Sequence, residues 1–283
     1  MRTRRRQSVT EPRVGPLLWV LIVIIMVVSL IPFYWLINTS FKVGGGLSSA
    51  ALWPEAPSIQ NYVDVFNNAS FAIALRNSLI VSVTTTFFAL LFGATAAYAL
   101  ARLPLKRRGL ILTLVLSVTT FPVIAIAAPM FNLWSQLGLY NTLAGLIIPK
   151  LTFTLPLAIF TLTSFFREIP TELEEAASID GSSPARTFWQ VILPLAVPGI
   201  VTTGILVFIA SWNEFLLPAT LTSTPEAQTI PVAIAFFTGA SEFDIPTGTI
   251  SAASVLVTIP LLVGVMIFQK RIVSGLTSGA VKG

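Results

Sequence analysis

Residues 170–198 read PTELEEAASIDGSSPARTFWQVILPLAVP, and this stretch decides how the rest of the chain is laid out. With the two residues Arg167 and Glu168 just before it, it carries seven charges up to Arg186: Arg167, Glu168, Glu172, Glu174, Glu175, Asp180 and Arg186. Placing them at the centre of a bilayer would cost on the order of 20 kcal/mol, at roughly 2.5–3.5 kcal/mol each. The stretch therefore lies outside lipid. Long apolar runs flank it on both sides, so it is a charged loop between membrane spans.

The bulk composition agrees. Of 283 residues, 54% are hydrophobic and 10% charged, where a soluble domain has about 25% charged. Mean hydropathy is +0.84. These values place the chain in the membrane class. The net charge of +5 would suit nucleic acid, but the basic residues gather at the ends of apolar runs, as topology signals do. No nucleic-acid partner is expected. The sequence has no cysteine and no histidine. That excludes disulfides, Cys/His metal sites and a histidine-based catalytic triad.

Working outward from the charged loop, six apolar segments are long enough to span: Leu17–Ile37, Ser78–Leu100, Leu110–Phe131, Leu143–Phe166, Ala196–Leu217 and Thr249–Phe268. The first lacks the small-residue cleavage site of a signal peptide and reads as an uncleaved span. The chain thus divides into a basic tail at 1–16, a six-span body at 17–270 containing the charged loop at 167–195, and a tail at 271–283. The predicted fold class is an all-α membrane protein. Six spans put both termini on one side, together with the 102–108 loop and the charged loop. Fourteen Lys and Arg fall there, against Lys42, Arg76 and Lys150 on the other side. The positive-inside rule makes the first side cytoplasmic. The outer segments are then 38–76, 132–142 and 218–248. In the last of these, Val232–Phe237 reads either as a helix against the outer leaflet or as a docking patch. Prolines 122, 129, 149 and 156 lie inside spans three and four. They read either as breaks that line a pathway or as ordinary membrane-helix prolines.

The charged loop has its own punctuation. Thr171 and Glu174 have the spacing of a capping box, and Glu172, Glu174 and Glu175 suit the positive end of a helix dipole. Leu173, Ala176 and Ala177 give that helix a small apolar face. Gly181 is placed to close it in the left-handed conformation. Ser183 and Pro184 then open a second helix, which bends at Pro194 and Pro198 into span five. The pattern predicts a short helix, a sharp turn and a second helix. A helix that is acidic, with alanines on its apolar side, suits a protein groove; the competing reading is an amphipathic loop lying on lipid.

Glu175-Ala176-Ala177, Asp180-Gly181, Phe188, Leu193-Pro194-Leu195 and Pro198 resemble, in order and spacing, the EAA loop of permease subunits of bacterial ABC importers. Asn77-Ser78-Leu79, Ala96–Leu100, Ser211-Trp212-Asn213-Glu214-Phe215 and the tail Gly275–Gly283 are similar to the MalG-like side of the carbohydrate-uptake branch. The resemblance covers nearly the whole chain beyond residue 16. It implies a type I importer permease fold in a bacterial cell membrane. It also implies a heterodimer with a second permease subunit, two ATPase subunits on the cytoplasmic side and an extracytoplasmic solute-binding protein. By the same resemblance, Glu175, Ala176, Ala177, Asp180 and Gly181 are the contacts that couple to the ATPase. Gly279 and Lys282 in the tail are candidates for a further contact with it.

Trp212, Asn213 and Glu214 are candidate pathway or gate residues, because an ionisable group in a membrane segment is a functional candidate by default. The competing reading puts Glu214 near the interface, with Trp212 in an aromatic belt. Tyr98 and Arg102 read as marks of the cytoplasmic boundary. No G-x-x-x-x-G-K-[ST] motif occurs, so the chain has no P-loop. It is not expected to be an enzyme or to hold a cofactor or metal; ATP and magnesium would belong to the ATPase subunits. The expected function is that of a sugar permease. A polyol or glycerol-phosphate permease and an ion-coupled secondary transporter are the alternatives.

Overall fold

A computed structural model describes residues 15–237 and 246–278. Its elements run α1 (Pro16–Ser40), a 3-10 turn (Gly44–Ser48), α2 (Gln60–Asn67), α3 (Ala69–Arg102), α4 (Arg108–Ser117), α5 (Val123–Gln136), α6 (Leu143–Glu168) and α7 (Glu172–Ile179). There follow α8 (Pro184–Thr187), α9 (Leu193–Leu195), α10 (Val197–Asn213), α11 (Leu216–Leu221), α12 (Ile230–Ala235) and α13 (Thr247–Ser278). The described residues contain no strand. Among them, α1, α3, α6 and the Thr247–Ile267 part of α13 are each long and apolar enough to cross a membrane. Two bent pairs, α4 with α5 and the Pro184–Leu195 segment with α10, raise the count to as many as six if each pair is one span.

The α3–α6 pair is the centre of the bundle, and α10 lies against both. Their close crossing follows from two small residues. A Cβ on Gly93 would sit 2.9 Å from the Cβ of Ala158, and only small side chains let membrane helices approach so nearly. Helix α13 packs on α10, and α1 packs on α13. Helix α1 is apolar on every side and exposed along its length; only Asn38, Thr39 and Ser40 at its end are buried. Such a helix is made for lipid or for a partner's helices.

Several boundaries differ from the sequence reading. The third apolar run is not one helix. Helix α4 stops at Ser117, a single 3-10 turn covers Val118–Thr120, and α5 leaves at 83°. Pro122 has no N–H and holds φ at −65°, so it starts a new helix and cannot continue the old one. Pro129, Pro149 and Pro156, by contrast, remain inside helices. The fifth run also breaks, at Glu214 and Phe215. Lys150 does not sit at a span end; it lies inside α6 and is 2% exposed, so it carries no topological weight. The Val232–Phe237 patch does not lie free. Helix α12 packs on α3 and α13, and Val232 and Ala233 are buried.

Replacing Gly93 by valine should lower the thermal midpoint of the detergent-solubilised protein, at a cost of about 1–3 kcal/mol from overpacking. Gly109→Val, where a new Cβ meets nothing within 4 Å, should stay within about 0.5 kcal/mol. Thermal unfolding followed by tryptophan fluorescence compares the two.

Candidate functional site

The charged loop folds as two helical pieces about a tight turn. Helix α7 ends with Gly181 at φ +79°, a conformation that glycine adopts without steric cost. The Ser182 N–H donates to Ala177 O at 2.9 Å and the Gly181 N–H to Ser178 O at 3.0 Å, which satisfies the last carbonyls of the helix. Ser183 caps α8 by accepting from the Arg186 N–H at 3.4 Å, with Pro184 in the first turn. A π-helical stretch, Phe188–Ile192, then leads to α9, and the chain bends by 76° into α10.

The expected capping box is absent. Thr171 has helical φ and ψ of −69° and −24°, and its side chain caps nothing. Glu174 is drawn away instead. Its Oε1 lies 2.6 Å from Arg102 Nε, an ionic contact off the hydrogen-bond line. Tyr98 donates from its hydroxyl to Glu174 Oε2 at 3.2 Å. Arg102 also donates to Ile169 O at 2.6 Å. Below this clamp, the Tyr98 and Phe188 rings lie 4.8 Å apart, and Phe166 packs on both. Tyr98 and Arg102 do more than mark a boundary: they tie the loop to the end of α3. The exposed side of the loop carries Glu175, Ala176, Asp180 and Gly181, with Ala177 half-buried. Ile179 is 87% exposed at its tip.

A second site lies where α10 ends. The Ser211 carbonyl would bond to the next turn if the helix continued. Lys150 takes that place, donating from Nζ to Ser211 O at 2.8 Å. A cation suits the negative end of a helix dipole. Glu214 Oε2 is 3.7 Å from the same Nζ, and its Oε1 accepts from the Leu217 N–H at 2.9 Å, capping α11. These groups border a cavity of about 220 Å3 that Thr119, Phe153 and Thr154 also line. A larger cavity of about 360 Å3, between α3, α10 and α13, is walled by Leu90, Gly204, Phe208, Pro260 and Gly264. It offers no polar group to orient a solute, so the smaller cavity is the better candidate.

Of the three predicted pathway residues, only Glu214 faces this cavity. Asn213 is exposed. Trp212 is not in an interfacial belt; it is 2% exposed and stacks on Phe208 at 5.5 Å within the core around Val65 and Phe71. Lys150 escaped the sequence reading, although a lysine seven places into an apolar helix was the available signal. Asn77 and Ser78 hold residues 226–230. Asn77 donates to Glu226 O and Gln228 O at 2.8 and 3.0 Å, and Ser78 Oγ accepts from the Ile230 N–H at 2.8 Å. The tail candidates Gly279 and Lys282 lie outside the described residues.

A polar cavity among apolar helices, and a charged loop fixed to the end of a span, make the build of a helical membrane protein with a path through its bundle. The chain belongs to the family described as binding-protein-dependent transport system inner membrane component, which matches residues 89–278. It is 49% identical over 255 residues to the trehalose transport system permease protein SugB of Mycobacterium tuberculosis, covering 90% of this chain and 93% of that one. It is 40% identical over 270 residues to the sulfoquinovosyl glycerol transport system permease protein SmoH of Agrobacterium fabrum, covering 95% and 94%. Against the trehalose/maltose transport system permease protein MalG of Thermococcus litoralis the identity is 39% over 263 residues, covering 92% and 94%. Among solved structures, a bacterial ABC transporter involved in import of the acidic polysaccharide alginate superposes with a TM-score of 0.75 at 22% identity, covering 94% of this chain and 99% of that one. The MetNI methionine ABC transporter gives 0.58 at 18%, covering 71% and 94%. These last two likenesses establish the ABC importer permease fold.

Removing the clamp should loosen the loop locally. Glu174→Ala leaves the Arg102 guanidinium, 9% exposed, without its carboxylate. Loss of about 1–2 kcal/mol corresponds to roughly a 5–30-fold rise in the open population. Limited proteolysis should show cleavage within residues 170–182 accelerating by that factor, with the spans still protected.

Proposed function

We propose that the chain is one of two homologous permease subunits of an ATP-driven bacterial importer for a sugar or oligosaccharide. It crosses the cell membrane six times, each bent pair counting as one span, with both termini and the 170–198 loop in the cytoplasm. Two ATPase subunits bind ATP and magnesium and engage the loop through Glu175, Ala176, Ala177, Asp180 and Gly181. A solute-binding protein delivers cargo to the opposite face. The single observation that carries this reading is the loop: an exposed, glycine-turned helix clamped to α3 by Arg102 and Tyr98. The sugar class is supported by the relatives named for trehalose and maltose transport. Gly279 and Lys282 are proposed as a secondary ATPase contact.

The relative named for sulfoquinovosyl glycerol favours a second reading, in which the solute is a glycerol glycoside, a glycerol phosphate or another polyol. A ligand screen on the binding protein separates the two. An ion-coupled transporter is the competing class, and the Lys150–Glu214 pair is the site it would use.

The test is reconstitution of the chain with its partner permease, ATPase and binding protein. Loaded binding protein should stimulate ATP hydrolysis. Glu175→Lys places a like-for-opposite charge on the docking face, and Gly181→Trp forces a bulky side chain into a left-handed turn. Each should cut the stimulated rate by about ten-fold or more, the equivalent of one lost charge-assisted contact, while membrane insertion is retained. Uptake by the chain alone, driven by an ion gradient and indifferent to ATP, would sink the proposal.

A further inference from the structure

Among the described residues, one built site is not used by the coupling function, the polar cavity around Lys150. Its chemistry is unusual for a place this deep in the bundle. Lys150 is 2% and Ser211 1% exposed. The ammonium has three donors and one hydrogen-bond partner, Ser211 O, besides the ionic contact to Glu214. Glu214 Oε2 and Ser211 Oγ are both buried and have no hydrogen-bond partner. All three residues line the same cavity.

The neighbouring backbone says what fills it. Residues 117–122, at the break between α4 and α5, are exposed in this chain. Non-helical backbone at membrane depth is tolerated only against protein or water, never against lipid. Thr119 of that break lines the cavity. The site therefore lies beside a break whose helical bonding lapses at Phe121 and Pro122 and which calls for a protein or water neighbour there.

We infer that Lys150, Glu214 and Ser211 form a hydroxyl-binding subsite of the solute pathway within this subunit, taking adjacent hydroxyls of a sugar or polyol. Each hydroxyl both donates and accepts. One can accept from the Lys150 ammonium while its neighbour donates to Glu214 Oε2, and Ser211 Oγ serves either role. The pair is neutral overall, so it binds hydroxyls without demanding a charged solute. Phe153 offers an apolar wall for the C–H face of a ring. At about 220 Å3 the cavity is smaller than the roughly 300–1,000 Å3 of a complete ligand pocket. It therefore holds one ring, and the partner subunit completes the path. This inference rests on the sugar-importer reading above.

The test uses the complete transporter in proteoliposomes, with trehalose and maltose as probes and solute moved per ATP hydrolysed as the readout. The double variant K150M/E214Q removes both charges together, so no lone buried charge is left, and glutamine keeps an acceptor for the Leu217 N–H. It should lower the ratio about ten-fold or more, as loss of two hydrogen bonds predicts. S211A removes a hydroxyl without a protein partner, so it decides the matter even if the double variant does not assemble; about a three-fold fall is expected. K150R, which keeps the donors, should stay closer to the unsubstituted ratio than K150M/E214Q does. An unchanged ratio in S211A and in the assembled double variant overturns the subsite and makes the pair a structural tie. Binding-protein-stimulated hydrolysis with neither disaccharide moved overturns the sugar assignment instead. Absence of any stimulation overturns the importer reading itself.

Discussion

Inside a bilayer there is no water to satisfy a free N–H or C=O, and the whole architecture depends on that constraint. It explains why the apolar segments are helical, and it is most informative where a helix stops. At Ser117–Pro122 the loose carbonyls are met from within: Ser117 donates to Leu114 O and Thr119 to Leu116 O, both at 2.7 Å. At the end of α10 the means are charged. Lys150 takes the Ser211 carbonyl and Glu214 caps the next helix. Both breaks border the same cavity. The places where the chain departs from continuous helix are therefore the places where it becomes polar inside.

The charged loop obeys the complementary rule. It cannot enter lipid, so it must find partners outside. Glu174 finds Arg102 and Tyr98 at the end of α3, and the aromatic cluster of Phe166 and Phe188 fixes the hinge beneath. Helix α3 is also the element that Gly93 presses against α6 and that carries Asn77 and Ser78 to residues 226–230 at its far end. A force on the loop thus acts on a 34-residue helix with contacts at both extremities. In this bundle the lever and the cavity are linked through α3, α6 and α10, the three helices that pack together at its centre.

Much of this was legible in the residues. The turn at Gly181, the cap at Ser183 and the bend before α10 follow from local rules about φ, side-chain oxygens and proline, which need no distant partner. The capping box at Thr171 failed because a guanidinium 72 places earlier in the chain competes better for Glu174 than a backbone N–H does. Trp212 was misplaced because an indole beside polar residues looks interfacial until the core that surrounds it is known. Pro122 was one of four prolines that read alike, yet it precedes α5 at a break while Pro129, Pro149 and Pro156 stay inside their helices.

By itself the sequence determined that the chain is a helical membrane protein, where its charged loop lies and how that loop is punctuated, because hydrophobic length, charge cost and turn chemistry are properties of contiguous residues. Only the tertiary structure decided what the ionisable groups do. Arg102 meets Glu174, and Lys150 of α6 meets Glu214 beyond α10, across distances in sequence that no local pattern encodes. The physical reason is the low dielectric of the bundle: a charge there must be paired, and which partner it takes is fixed by helix packing.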